Sequence, residues 1–161
     1  MNQGEKMTIL EKVSALLKNR QFLSIATANK TGEPHSAPKI FLKIEGRHLY
    51  LVDYAIAKTV ENLKVNPRAS MSFMDMENLE GYRLTGDVEL VRDGRIFGQL
   101  SKELDQKLIR LSADRVIEGM RTGKRHQHFE LEFTKKVIFL NVKIEEIVRI
   151  GSQGELFKEK Q

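Results

Sequence analysis

Apolar residues recur at helical spacing at Ile9, Leu10, Val13, Leu16 and Leu17, which predicts an amphipathic helix over residues 7–19. Thr8, followed three residues later by Glu11, forms the capping box that would open it. The period then changes. FLSIATA at 22–28 reads as a strand, Asn29-Lys30-Thr31-Gly32 as a turn, HSAPKIFLKI at 35–44 as the returning strand, and HLYLV at 48–52 as a third strand after Glu45-Gly46. Residues 57–65 suit a short helix that buries Val60 and Leu63 and stops at Asn66-Pro67, because the residue before a proline is pushed out of the α region. Strand character returns over 69–76, and from Tyr82 to Leu90 apolar and polar residues alternate, giving one buried and one wet face. Ile96 through Met120 space out as one or two helices, and the basic segment Arg121 to His128 reads as a loop. Phe129, Leu131 and Phe133 alternate, the apolar run from Val137 to Ile150 supplies one or two further strands, and the polar tail at 151–161 is expected to be loose. No repeat or linker interrupts this order, so the chain reads as a single domain over 1–161 with its barrel core at about 20–150. Hairpin-linked strands with helices set apart from them predict an α+β fold built on a small antiparallel barrel.

Composition narrows the chemistry. Among 161 residues there is no Cys, which excludes a disulfide framework, a thiolate nucleophile and any cysteine-ligated metal. The polar start and the lack of a long apolar run give the expectation of a soluble cytoplasmic protein with no membrane partner. The net charge of +5 could serve a nucleic acid, but the 27 basic residues are scattered among 22 acidic ones and no aromatics are interleaved with them. No nucleic-acid partner is therefore expected, and a small anionic ligand explains the surplus equally well.

The best chemical candidate is the strand-to-helix junction DYAIAKTVEN at 53–62. A helix start offers unpaired N–H groups and the positive end of a dipole, to which Lys58 and Thr59 would add an ammonium and a hydroxyl. Taken alone, the same residues also read as a solvated Lys beside an ordinary helix start. His35 reads as solvent-facing or hydrogen-bonded rather than catalytic, His126 and His128 lack a third metal ligand, and the basic cluster Arg121, Lys124 and Arg125 reads first as a solvated loop. Asp53 and Asp75 end strands without an evident partner, and Met71, Met74 and Met76 suit core and dimer interface. Lys39 and Arg83 alternate with apolar neighbours and could face either a ligand or solvent.

Read together, residues 20–92 resemble the flavin-binding split-barrel family, the group containing pyridoxamine 5'-phosphate oxidase and the small FMN-binding proteins of sulfate-reducing bacteria. The resemblance is carried by FLSIATA, the Gly-x-Pro-His at 32–35, SAPKIFLKI, LYLVD, AKTVENLKVNPRASMSF at 57–73 and GYRLTGDVEL at 81–90. It implies a six-stranded antiparallel split β-barrel with flanking helices, which forms a homodimer with one FMN in each of two clefts at the subunit interface. It further implies that Lys58 and Thr59 hold the FMN phosphate, with Asn62 the cofactor-site Asn that follows them on the same helix, that Pro38, Lys39, Ile40 and Phe41 lie along the isoalloxazine edge, and that Tyr54, Ala55, Ile56 and Ala57 lie beside the ring and ribityl chain. A flavin needs such parts: backbone groups for its pyrimidine edge, an apolar wall for its ring, and cations with a helix end for its phosphate.

Two departures matter. Ala57-Lys58-Thr59 carries one cation fewer than the Ser-Arg-Lys of many members, and nothing in the Trp-free tail aligns with the segment that grips pyridoxine phosphate in the true oxidases. The expectation is thus an FMN oxidoreductase transferring hydride or electrons through the flavin N5, with a small-molecule or nicotinamide donor, that does not oxidise pyridoxamine phosphate. The alternative is a carrier of flavin, deazaflavin or haem without turnover, in which His126 or His128 would be the haem ligand to test.

Overall fold

The computed structural model describes residues 7–123 and 136–160. Ten elements follow in chain order: α1 (Ile9–Leu17), β1 (Phe22–Ala28), β2 (Pro34–Glu45), β3 (His48–Asp53), α2 (Lys58–Val65), β4 (Arg68–Asp75), β5 (Glu80–Val91), α3 (Gly94–Thr122), β6 (Ile138–Ile150) and β7 (Leu156–Lys160). The strands order as β3-β2-β1-β4-β5-β6-β7, and β3 also pairs with β6. That pairing closes β1 to β6 into a six-stranded antiparallel barrel, so the expected architecture is present.

β6 makes the closure possible. The first half of one edge pairs with β3 from His48↔Lys143 to Asp53↔Ile138, while the second half pairs with β7 from Glu146↔Lys160 to Ile150↔Leu156. The change of partner falls at a bulge, where Thr85 opposes Glu146 and Gly86 already opposes Ile144, leaving Glu145 as the extra residue. Gly86 is required there: a Cβ on it would lie 2.0 Å from the Lys143 carbonyl oxygen.

Apolar residues from alternate strand positions fill the barrel, among them Leu23, Ile25, Leu51, Met71, Leu84 and Leu140, all 2% exposed or less. One mouth is formed by the strand ends at Phe22, Asp75, Glu80 and Ile150, and α1 covers it with Val13 and Leu17. Its capping box is complete, with the Thr8 hydroxyl accepting from Glu11 N–H and the Glu11 carboxylate accepting from Thr8 N–H. Glu80 docks this helix by accepting from Lys12 Nζ at 2.6 Å, from the Tyr82 hydroxyl at 2.6 Å and from Arg149 at 2.8 Å. The opposite mouth, with Ala28, Pro34, Asp53 and Arg68, is covered by α2 through Val60 and Leu63. α3 lies on the outer wall, where Leu100 and Leu104 pack on Ile40, Leu42, Val52 and Phe139.

Several sequence expectations need correction. The tail expected to be loose forms β7, because β6 runs beyond its partner β3 and leaves an edge that 156–160 satisfies. The first helix is shorter than 7–19; of the alternatives left open, the structure has one 29-residue helix across 95–120 and one bulged strand over 137–150. The alternation at Phe129, Leu131 and Phe133, with most of the basic loop, lies outside the described residues. Among the described residues no helix is long and apolar enough to cross a membrane.

Candidate cofactor site

The junction between β3 and α2 is built by Asp53. Its Oδ1 accepts from Ala55 N–H at 3.0 Å and from Ile56 N–H at 3.1 Å, an Asx turn that reverses the chain out of the sheet. Ile56 is thereby held at φ +45°, a left-handed conformation that a β-branched residue rarely adopts. The helix that follows has Ala57 at its N-cap and no side-chain cap, in contrast to α1. Among the described residues no side chain caps the N–H groups of its first turn, and Lys58 is partly exposed beside them.

Five polar side chains are buried around this end: Thr27, Lys39, Asp53, Thr59 and Asn62, each 5% exposed or less. Lys39 Nζ lies 3.0 Å from Asp53 Oδ1, and Asn62 donates to the Thr27 hydroxyl at 3.2 Å. Two buried oxygens, Asp53 Oδ2 and Thr59 Oγ1, have no partner. Buried polar atoms are ordinarily bonded, so this end of the barrel retains capacity for a further polar group.

The eleven residues expected at a cofactor therefore fall into three sets. Pro38, Ala55, Ile56 and Ala57 are exposed, and Lys58 and Tyr54 are partly exposed on the same rim. Ile40 is buried in the outer cluster beneath α3, to which Tyr54 also packs, and Phe41 belongs to the barrel core. Lys39, Thr59 and Asn62 point inward; Asn62 is spent on Thr27, and Lys39 on Asp53. The helix start is legible in the sequence as a local pattern, whereas the partner of Asp53 comes from another strand. The signal was present in the placing of Lys39 within the apolar run Ala37–Leu42, where a cation is buried only with a counter-ion.

The other candidates have structural partners. Arg83 sits half-exposed on the outer wall and pairs with Glu146 at 3.1 Å. Asp75 caps the β4–β5 turn, and its hydrogen bond from Asn78, joined by the N–H groups of Glu77 and Asn78, holds its carboxyl below the ordinary range. Met71 is core, whereas Met74 and Met76 are exposed. His126 and His128 lie outside the described residues.

A cleft of about 420 Å³ opens beside Phe41, between α1, β2 and α3, and is lined by Lys43, Glu103, Lys107 and Arg110 among others. Burial pulls Lys43 down, but its hydrogen bonds to Glu103 and Glu45 outweigh this and raise it. Among the described residues Lys107 has no such partner. It lies 5.1 Å from the centre of the Phe41 ring, and burial lowers its pKa.

Residues 9–138 match the family described as pyridoxamine 5'-phosphate oxidase, and the chain belongs to that family. No curated protein sequence matches the chain significantly. Among solved structures, HupZ of Group A Streptococcus is 20% identical with a TM-score of 0.62, over 93% of this chain and 99% of that one. A pyridoxamine 5'-phosphate oxidase-related, FMN-binding protein of Nostoc punctiforme is 12% identical with a TM-score of 0.56, over 97% of this chain and 98% of that one. A heme binding protein of Mycobacterium smegmatis is 15% identical with a TM-score of 0.64, over 96% of this chain and 59% of that one. At these identities the likeness establishes the shared split-barrel fold, which in different members accompanies different ligands.

Proposed function

We propose that this chain binds FMN and acts as a flavin-dependent oxidoreductase, with the FMN phosphate on the first turn of α2. The observation that carries this reading is the open start of α2. It lacks a side-chain cap, presents Lys58, and holds the partnerless buried hydroxyl of Thr59, which can donate to an anion, while α1 of the same chain is fully capped. A phosphate supplies what that helix end lacks, acceptor oxygens and negative charge. Lys58 would bind it directly, the N–H groups of the first turn would orient it, and the rim from Tyr54 to Ala57 with Pro38 would wall the ring and exclude water. Flavin, when bound, supplies the hydride or electron transfer chemistry, so no side chain need act as acid or base.

The same reading makes the protein a homodimer with flavin between subunits. A small-molecule or nicotinamide donor would enter by the cleft beside Phe41, where Lys107 and Arg110 offer positive charge.

The visible spectrum of the purified protein, before and after addition of FMN and then a nicotinamide reductant, tests the proposal. A two-banded flavin spectrum that bleaches with the reductant is expected. A Soret band would replace the reading with a haem carrier, a deazaflavin spectrum would replace the cofactor alone, and indifference to FMN would refute flavin binding. Lys58→Ala should weaken FMN binding about tenfold, the order of one charge-assisted contact, with unfolding unchanged; equal affinity would refute the phosphate assignment.

A further inference from the structure

We propose that Asp53 is the positioning residue of the phosphate cradle, and that Lys39 acts through Asp53 rather than on the ligand. The inference rests on the reading of α2 as the phosphate end of a flavin site.

The Asp53 carboxylate is wholly buried; its Oδ1 accepts from the N–H groups of Ala55 and Ile56, and Lys39 Nζ lies 3.0 Å away as its counter-ion. Those two amides lie between the end of β3 and the start of α2, so the carboxylate bears directly on where the first turn of that helix points. The left-handed Ile56 marks the constraint, since a strained branched residue persists only where its surroundings over-determine it. No cap on Ala57 shares the task.

Lys39 is 3% exposed, and its ammonium lies 3.0 Å from Asp53 Oδ1. Its ammonium compensates the carboxylate that holds the turn. Buried ion pairs of this kind seldom add stability over apolar packing of the same volume, so fold stability alone gives no reason for one here. A demand on geometry does. Asp53 Oδ2 and, at the start of α2, Thr59 Oγ1 are the two unpaired buried side-chain oxygens among the described residues.

The test compares FMN with riboflavin, which differ only in the phosphate, on the full chain and on Asp53→Ala, Asp53→Asn and Lys39→Met. Asp53→Ala should weaken FMN by about tenfold and riboflavin by less than about twofold, because only the phosphate end loses its geometry. Asp53→Asn keeps an amide oxygen that can accept both N–H groups, and should restore most of the FMN-to-riboflavin ratio. Lys39→Met should shift that ratio in the direction of Asp53→Ala. In parallel, hydrogen exchange of the Ala55 and Ile56 amides is followed without ligand, and should accelerate in Asp53→Ala and return towards wild type in Asp53→Asn. Equal weakening of both flavins, or no rescue by Asn, would overturn the proposal as a mere fold defect. If the wild-type chain binds neither flavin, the flavin reading falls, while the exchange measurement still decides Asp53: unchanged exchange in Asp53→Ala overturns its positioning role.

Discussion

Glu80 ties α1 to the barrel, and acid should release it. Its carboxylate accepts from Lys12, Tyr82 and Arg149, with its side chain 14% exposed. The hydrogen bond from Lys12, and next that from Tyr82, lower its pKa from 4.5 to about 2. In the unfolded chain the group titrates near its ordinary value, so the stability it confers is complete above about pH 5 and lost as pH falls through the folded value near 2. At about 1.4 kcal/mol per pH unit the difference amounts to about 3 kcal/mol, reduced to about 2 because Lys12 is one-third exposed and its attraction is screened. Urea unfolding of the wild type and Glu80→Gln at pH 7, 5, 4, 3 and 2 measures this. Glu80→Gln should cost about 2 kcal/mol at pH 7, and the gap should close between pH 5 and pH 2. Parallel stability curves for the two proteins across that range would refute the assigned hub, as would a gap that widens in acid.

Three further outcomes follow from the packing. Gly86→Ala places a methyl 2.0 Å from the Lys143 carbonyl oxygen, so it should destabilise by about 3 kcal/mol or more, read as a lower urea midpoint; a change below about 1 kcal/mol would show that the bulge can give. Thr8→Ala removes half of the capping box of α1 and should cost about 1 kcal/mol in the same assay. Lys107, with its pKa lowered by burial, should outcompete exposed lysines for an amine-directed label at mildly alkaline pH once accessibility is matched in denatured controls, and protection by a bound anion would place that anion in the cleft.

The barrel was legible in the chain because each strand of β1, β3, β4 and β5 carries its own period and its own turn signal. Thr8 and Glu11 announced α1, and Asn66-Pro67 ended α2 where expected, since caps and prolines act within four residues. Edges between elements were not legible. β7 is polar and short, and it forms only because β6 offers an unpaired edge from Glu146 to Ile150. The candidate site divides the same way. A helix start bearing Lys58 is a local pattern and could be read from the sequence. The sequence by itself determined the α+β class, the elements from α1 to β6 and the helix start from which an anion cradle could be built. Only the tertiary structure decided that Lys39 and Asn62 face inward, that Asp53 is a paired buried carboxylate organising the Ala55–Ile56 turn, and that Gly86 faces the Lys143 backbone. The physical reason is common to all three: whether a charge or a small residue is tolerated depends on what lies within a few ångströms of it, and those neighbours come from strands far apart in the chain.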